Sequence, residues 1–281
     1  MKKKLLAAIM IGVMTLSMTA CGGASKEAGS TSSEISTVTA GKLTVATSPD
    51  FAPYEFYAVD ENGTPKLAGF DIALAEYIAD YMGLELEVVP VDFDGVLMEL
   101  QTKAVDIGVA GLSPDPKRES IMDFSDIYYE GGQSFVCLQS NKDKFASLED
   151  VNGSDLEVGA QTGSIQVDLA QANSPDAEII QLTKVTDIIA EILAGKLDGA
   201  YIETAVAESY AKNYPELCVV LEVPYDGAEG SAIGVSKGND ALKAAVNEAI
   251  AKAKSEGKMD EFVATANEQA SGEIIEGLLD Q

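Results

Sequence analysis

The sequence predicts an α/β protein of two units, and two observations support that prediction. Short apolar runs typical of buried strands alternate with segments whose apolar residues recur every three or four positions, as in helices packed on a sheet. This alternation occupies residues 42–110 and begins again over residues 156–212. About 240 residues follow the N-terminal region, which is enough chain to bury two separate cores.

In the first unit, the pattern predicts a buried strand at 42–47 and a helix at 69–82, which Gly83 ends. A strand at 84–91, a short helix at 95–102 and a strand at 106–110 follow. Because strands and helices alternate, we expect a parallel sheet with helices on its faces.

The second unit repeats the pattern. Strands are predicted at 156–159, 178–182 and 198–201, and helices at 164–172, 186–194 and 204–212. Further strands at 218–223 and 232–235 flank the glycine-rich residues 226–230, and a helix from 240 to about 255 and a weak amphipathic tail at 273–279 complete the chain.

The N-terminus has the pattern of a secretory signal peptide over residues 1–20. Its apolar run at 5–14 is shorter than the roughly 20 residues that span a bilayer. The following Cys21 completes a stretch similar to a bacterial lipobox, in which the thiol receives diacylglycerol, although Met18 stands where leucine is usual. Simple secretion with a free Cys21 thiol is the alternative.

The residues after Cys21 are rich in Gly, Ser, Thr and Ala, which indicates a flexible tether, so we assign 21–40 to a lipidated cysteine and its tether. Two acyl chains are enough to hold a soluble domain at a membrane. We therefore expect an extracytoplasmic lipoprotein on the outer face of the cell membrane.

Charge and composition exclude several classes of function. The formal charge is −27, and it becomes −30 without residues 1–20, so no nucleic-acid partner is expected. Histidine is absent from the sequence, which excludes Ser-His-Asp and Cys-His catalysis and histidine-ligated metals. We expect no metal, no cofactor and no catalytic residue. Cys137 and Cys218 are either a disulfide or buried apolar fillers.

Arg118 is the one arginine among 19 basic residues, and it follows a run of turn-forming residues. A guanidinium is a rigid fork that matches a carboxylate with two parallel hydrogen bonds, whereas lysine is a mobile point charge. The exception therefore suggests recognition of a planar anion. A solvated surface charge is the alternative.

Motifs in the order of one family run through the chain, and the sequence resembles the extracellular solute-binding proteins, family 3, which deliver polar amino acids to ATP-driven importers. The matching stretches are LTVATSPDFAPYEF (43–56), GFDIALA (69–75), VDFDG (91–95), LQTK (100–103), DIGVAGLS (106–113), Arg118, DFSDIYY (123–129), QTGS (161–164) and LDGAYIE (197–203).

The resemblance implies a two-lobed α/β fold, the type II periplasmic-binding-protein-like fold, with a two-segment hinge. Lobe 1 is expected at 41–130 plus 231–270, lobe 2 at 131–230, and a tail at 271–281. The hinge segments are expected near 128–132 and 227–231, where glycines suit a change of backbone conformation.

The resemblance also assigns ligand contacts. Arg118, Ser113 and the amides of Thr162 and Gly163 would hold an α-carboxylate, and Glu203 with the Gly111 carbonyl would hold the α-ammonium. The aromatic residues Phe51, Phe93 and Tyr54 would enclose the side chain. Taken alone, the phenylalanines would suit a core, and Glu203 would suit a helix start.

Five further positions bear on ligand specificity. Ser48 stands where binders of cationic side chains usually have an acid, and Ile202 removes one polar contact, whereas Asp50 and Asp94, together with Asp92, are acids that would compensate. We expect a polar L-amino acid of glutamine to arginine size, with neutral ligands slightly ahead of cationic ones and acidic ligands excluded.

The resemblance implies a monomer whose partners are the amino acid, the permease of an ABC transporter and, through the N-terminal lipid, the membrane. Two other functions stay open. A dehydratase on the same fold would use Glu203 as a general acid or base. A sensor would bind the same ligand but signal through a membrane protein.

Overall fold

The structure, a computed structural model, describes residues 35–59, 62–227 and 230–271. The predicted signal peptide, Cys21 and the predicted tail at 273–279 lie outside these residues. The last part of the predicted tether lies against the folded chain, because the Val38 amide donates to Asp106 at 2.7 Å and Asn239 donates to the Ser36 carbonyl at 2.8 Å. Within the described ranges, no helix is long and apolar enough to cross a bilayer.

Strands and helices alternate as predicted. The described strands are β1 (Lys42–Thr47), β2 (Asp50–Phe51), β3 (Glu55–Val59), β4 (Pro65–Ala68), β5 (Glu85–Pro90), β6 (Ile107–Gly108), β7 (Met122–Tyr129), β8 (Gln133–Leu138), β9 (Glu157–Gln161), β10 (Glu178–Leu182), β11 (Gly199–Glu203), β12 (Leu217–Val223) and β13 (Ser231–Ser236). The described helices are α1 (Phe70–Met82), α2 (Phe93–Thr102), α3 (Ile165–Asn173), α4 (Val185–Leu193), α5 (Thr204–Asn213), α6 (Asp240–Ser255) and α7 (Lys258–Ala270), with a 3-10 helix at Gln139–Lys144.

Two five-stranded sheets form the two lobes. The sheet of lobe 1 has the order β5-β1-β6-β13-β7, and the sheet of lobe 2 has the order β10-β9-β11-β8-β12. In lobe 1, helices α1, α2, α6 and α7 surround the sheet or pack on one another, and in lobe 2 helices α3, α4 and α5 pack on the sheet.

The expectation of parallel sheets is correct for three strands of each sheet. Strand β1 pairs parallel with β5 and β6, and β9 pairs parallel with β10 and β11. It is wrong for β13 in lobe 1 and β8 in lobe 2, which pair antiparallel with both of their neighbours. These two strands are the first that the chain forms after it crosses into each lobe, and the crossing reverses their direction.

The crossings lie side by side, because Ser231 at the start of β13 pairs with Tyr129 at the end of β7. Gln133 at the start of β8 pairs with Glu203 at the end of β11. The parallel strands of both sheets therefore end near the hinge, on either side of one cleft.

Helix α7 was not predicted from the sequence. Met259, Ala266 and Ala270 are its buried residues, so its apolar stripe is narrow and made largely of alanine. It packs on α1 and α6, and its partly buried Phe262 contacts the Tyr77 ring of α1, with ring centres 6.1 Å apart.

Cys137 and Cys218 are directly opposite one another on β8 and β12, and both are free thiols. Cys137 is buried, and burial raises its pKa to about 11. Both cysteines therefore occupy strand positions as reduced side chains.

Candidate functional site

The candidate site is the cleft at the carboxyl ends of the parallel strands, which is where open α/β sheets generally bind ligands. The lobes are in contact across it: the Arg118 Nη2 of lobe 1 donates to the Gly163 carbonyl of lobe 2 at 3.0 Å. Lys117 and Asp168 form a second contact between the lobes, at 2.7 Å. The structure thus describes a closed arrangement of the two lobes.

Arg118 lies inside this closed cleft, with 7% of its surface exposed. Its Nη1 donates to the Ser113 carbonyl at 3.1 Å, and its guanidinium lies over the Phe93 ring, 5.6 Å from the ring centre. Burial lowers its pKa, although arginine stays charged at neutral pH. Two carbonyls use two of its five donors. In the described part of the chain, no carboxylate forms an ion pair with Arg118.

Glu203 supplies the opposite charge from lobe 2. It is the N-cap of α5, and its Oε2 accepts a hydrogen bond from the Val206 amide at 2.9 Å, so the helix-start interpretation is correct for one oxygen. The other oxygen, Oε1, is buried and has no hydrogen-bond partner among the described residues. Burial raises the pKa of Glu203 to about 7, and the Val206 amide and the nearby Tyr54 hydroxyl oppose that rise.

Gly111 and Ser113 lie on the loop that follows β6. Gly111 has a φ of +55°, and a Cβ there would lie 2.7 Å from the Phe51 ring, so only glycine fits. Its amide donates to Asp71 at 3.0 Å, and the Tyr128 hydroxyl donates to the same carboxylate oxygen at 2.9 Å. Asp71, which the sequence analysis did not single out, therefore fixes this loop from behind.

The aromatic residues form two groups rather than one continuous cluster. Phe51 contacts Tyr54, with ring centres 5.3 Å apart, and Tyr54 packs on Phe70 at 4.3 Å. Phe93 belongs to a different apolar cluster, beneath Arg118. Phe51 and Phe93 make no ring contact with each other in the described part of the chain, so the two rings do not close the space between them.

Thr162 and Gly163 lie where β9 leads into α3. The Thr162 amide donates to the Leu182 carbonyl at 2.8 Å, so it belongs to the sheet and is unavailable for the carboxylate contact expected of it. Gly163 has a φ of +78°, and its carbonyl faces Arg118. The N-cap of α3, Ser164, makes no side-chain cap.

The specificity candidates have different environments. Ser48 donates to Asp50 at 2.9 Å, and both are buried. Asp94 is exposed, and Ile202 is buried within the large apolar core. Asp92, the N-cap of α2, makes no cap bond, and its Oδ1 is buried with no partner among the described residues. No group of residues in those ranges is arranged to hold a metal ion.

Two further residues at the site have weak sequence signals. Gly131 lies in the hinge, and a Cβ there would lie 2.5 Å from Glu203 Oε1 and 3.2 Å from the Tyr54 hydroxyl. Gln161 reaches across the cleft to Asp50, with 3.3 Å between Nε2 and Oδ2. A glycine among hinge glycines and a glutamine at a strand end become informative only once the lobes are seen together.

Comparison with known proteins gives consistent results. Residues 43–266 match the bacterial extracellular solute-binding proteins, family 3. The chain is 33% identical over 265 residues to the arginine-binding extracellular protein ArtP of Bacillus subtilis (strain 168), covering 92% of this chain and 96% of that protein. It is also 30% identical over 190 residues to the cyclohexadienyl dehydratase of Pseudomonas aeruginosa, covering 67% of this chain and 69% of that enzyme.

Among solved structures, the chain is similar to AbpA, an amino acid ABC transporter substrate-binding protein from Streptococcus pneumoniae, bound to L-arginine. The TM-score is 0.79 at 32% identity, and the likeness covers 83% of this chain and 97% of that protein. The predicted two-lobed α/β fold is confirmed by this likeness and by the two sheets.

Proposed function

We propose a capture function for this chain, which belongs to the bacterial extracellular solute-binding proteins, family 3. It closes its lobes around a polar L-amino acid outside the cytoplasm and presents it to the permease of an ABC importer. Proteins similar to it include the arginine-binding protein ArtP and the ABC transporter substrate-binding protein AbpA, which was solved with L-arginine bound.

One observation carries the proposal: the buried and oppositely charged side chains of Arg118 and Glu203 lie at the cleft, and each has hydrogen-bonding groups available for a ligand. Arg118 has no carboxylate partner in the described part of the chain, and Glu203 has a buried Oε1 without a hydrogen bond there. A buried charge without a partner is costly, so a ligand that pairs with both is favoured. An α-amino acid supplies a carboxylate for Arg118 and an ammonium for Glu203.

We further propose that a cationic side chain is preferred, the reverse of the order expected from the sequence. Asp92 has a buried Oδ1 with no partner among the described residues. Burial raises the pKa of Asp50 to about 6, and the charge of Asp92 makes a smaller contribution to that rise, so the two acids are close together. A ligand cation would pair with the buried Asp92 oxygen that has no partner among the described residues. Similar proteins bind arginine, which has such a side chain.

A panel of the 20 amino acids in a thermal-shift assay tests this function. A ligand at a hundredfold excess over its dissociation constant stabilises the folded state by about 2.7 kcal/mol. We expect the largest shift with arginine, a smaller one with glutamine, and none with glutamate or aspartate. A large shift with glutamate alone would refute the charge assignment, and no shift with any amino acid would refute the function.

Elimination chemistry is the second candidate, because the raised pKa of Glu203 suits a general acid or base and one similar protein is a dehydratase. Glu203 is already held by the α5 start, and this favours a fixed ion pair over proton transfer. Incubation with a cyclohexadienyl substrate, followed by the absorbance of the aromatic product, separates the two. We expect no product above the background rate.

We also propose that Cys21 is lipidated and holds the domain on the outer face of the membrane, as the lipobox-like sequence indicates. Cys21→Ser should then move the protein from the membrane fraction to the medium, because the anchor is lost. Cys218→Ser is the matched control and should leave the protein in the membrane fraction. Retention of the Cys21 variant after signal cleavage would require another anchor.

A further inference from the structure

Asp50 connects the two lobes through its carboxylate. It belongs to the small sheet of lobe 1, and its Oδ2 accepts hydrogen bonds from the Val185 amide at 2.6 Å and from Gln161 at 3.3 Å. Its main-chain carbonyl accepts from the Tyr210 hydroxyl at 3.1 Å. All three donors belong to lobe 2, on β9, α4 and α5. Three elements of one lobe therefore converge on a single residue of the other.

The contact with Val185 has a definite physical role. Val185 is the first residue of α4, and the N-cap residue of that helix, Lys184, makes no side-chain cap. The first amides of a helix need an acceptor, and an acid at this end also interacts favourably with the helix dipole. Asp50 supplies from lobe 1 the cap that lobe 2 lacks. The α4 start gains this acceptor when the lobes close.

The same geometry leaves Asp50 little capacity for a ligand. Its Oδ1 accepts from Ser48 at 2.9 Å while Oδ2 accepts from two groups of lobe 2, and the residue is 8% exposed. Resting on the proposed capture function, we propose that Asp50 is a closure latch: a positioning residue that stabilises the closed lobes for every ligand alike, without contacting the ligand side chain.

Burial raises the pKa of Asp50 to about 6, and the bonds from Val185 and Ser48 oppose that rise. The site thus favours a hydrogen-bond acceptor more than it favours a charge. An amide of the same shape keeps an acceptor for Val185, whereas a methyl group does not. This difference provides the matched pair of variants, Asp50→Ala and Asp50→Asn.

The exposed pair between Lys117 and Asp168 provides a control for any contact between the lobes. Its side chains are 71% and 45% exposed, and such pairs contribute little because water and salt screen them. Asp168→Ala also removes a contact between the lobes, but no buried acceptor.

The experiment measures dissociation constants and off-rates for L-arginine and L-glutamine, together with the radius of gyration of the ligand-free protein by X-ray scattering. We expect Asp50→Ala to weaken both ligands by the same factor of about ten, equal to about 1.4 kcal/mol, through a faster off-rate. Asp50→Asn should stay within threefold and Asp168→Ala within twofold of the parent protein.

Two results would overturn the latch. If Asp50→Asn weakens arginine as much as Asp50→Ala does and leaves glutamine unchanged, Asp50 contacts the ligand cation. If Asp50→Ala changes neither affinity nor the ligand-free radius of gyration, the contact has no effect on closure. The scattering comparison needs no ligand, so it tests the latch even if the parent protein binds no amino acid.

Should Asp50→Ala not fold, as judged by circular dichroism, Gln161→Leu removes one donor and keeps the acid. It should weaken both ligands by one smaller, common factor. A loss for one ligand alone would contradict the latch.

Discussion

The two lobes share one sheet order and one pattern of strand direction, yet they build the cleft from different parts. In lobe 2 the parallel strands lead quickly into helices: α3 begins four residues after β9 ends, and α5 follows β11 directly. In lobe 1 α2 follows β5 as closely, but the small sheet β2–β4 intervenes between β1 and α1, and β6 leads into the loop with Ser113 and Arg118. Lobe 2 therefore presents mainly helix N-termini to the cleft, whereas lobe 1 presents one helix N-terminus, that of α2, together with the loop that carries Arg118.

The helix N-termini of lobe 2 account for where its acid contacts lie. Helix starts attract acids, and two of the three in lobe 2 have one: Glu203 caps α5 from within the lobe, and Asp50 caps α4 from the other lobe. The start of α3 has no side-chain cap and lies next to Gly163, whose carbonyl contacts Arg118. In the proposed function, the ligand carboxylate would lie between Arg118 and the N-terminus of α3. The sheets alone do not determine binding; the connections after the strands do.

The strongest way to break the contribution of lobe 1 is Arg118→Lys. The charge is kept, but a lysine cannot reproduce the paired donors of a guanidinium. Because removing one partner of a buried charge pair costs about 2 to 5 kcal/mol, we expect most of the affinity for L-arginine to be lost by calorimetry.

Lys117→Ala is the matched control for that variant, since Lys117 is the adjacent basic residue, is 71% exposed and makes its ion pair with Asp168 at the surface. It should bind within twofold of the parent protein. Near-normal affinity in a folded Arg118→Lys protein would remove Arg118 from the ligand site.

The contribution of lobe 2 is tested by Glu203→Gln. We expect it to weaken L-arginine by at least tenfold and the des-amino analogue of arginine by much less, because the lost charge faces only the ammonium. Glu208→Gln, an exposed change on the same helix, is the control. Equal losses for both ligands would leave Glu203 with the helix-capping role alone.

The same variant has a pH signature. Burial raises the pKa of Glu203 to about 7, and an ammonium ligand needs the ionised form. Below pH 7 the bound ligand must displace a proton, so the dissociation constant for arginine should rise as pH falls from 8 to 6. Glu203→Gln should remove that dependence, and the des-amino analogue should not show it.

The sequence predicted the elements that alternate most clearly and the residues that the family motifs mark. The predictions for the strand at 178–182 and the helix at 240 to about 255 match β10 and α6. It missed α7, whose buried face is narrow and alanine-rich, and the short strands β2 and β4, whose pattern is too brief to show a period. It also assigned no strand at β3, β7 or β8.

Contacts between the lobes could not be predicted from one sequence. The sequence indicated Asp50 as a ligand-binding candidate, because an acid near the end of a strand is compatible with many roles. Its observed partners Val185 and Tyr210 are 135 and 160 residues away along the chain, so no local pattern indicates them. Asp71 had one available signal, since an acid interrupts the apolar face of a predicted helix, where it is fully buried. Such an acid usually has a buried partner, here the Gly111 amide and the Tyr128 hydroxyl.

The smallest expected effect is on the pH dependence of stability, which distinguishes the buried acid of lobe 2 from those of lobe 1. Burial raises the pKa of Glu203 in lobe 2 to about 7, and those of Asp50 and Asp71 in lobe 1 to about 6. These pKa values of the folded protein lie above the ordinary values of 4.5 for glutamate and 3.8 for aspartate. The folded state therefore binds more protons than the unfolded state does. Their stabilisation is therefore fully present at low pH and is lost as pH rises through 6 and 7.

From pH 8 to pH 6 these three acids should add about 2 kcal/mol to the unfolding free energy of the ligand-free protein, since each unit of pKa corresponds to about 1.4 kcal/mol. Glu55 of lobe 1, whose pKa burial raises well above its ordinary range, increases that gain further. Its melting temperature should rise by several degrees, as measured by calorimetry. Glu203→Gln should remove most of the rise between pH 8 and pH 7, whereas Asp71→Asn should reduce it mainly below pH 7. A melting temperature that falls from pH 8 to pH 6 would show that these acids are ionised in the folded protein at both pH values.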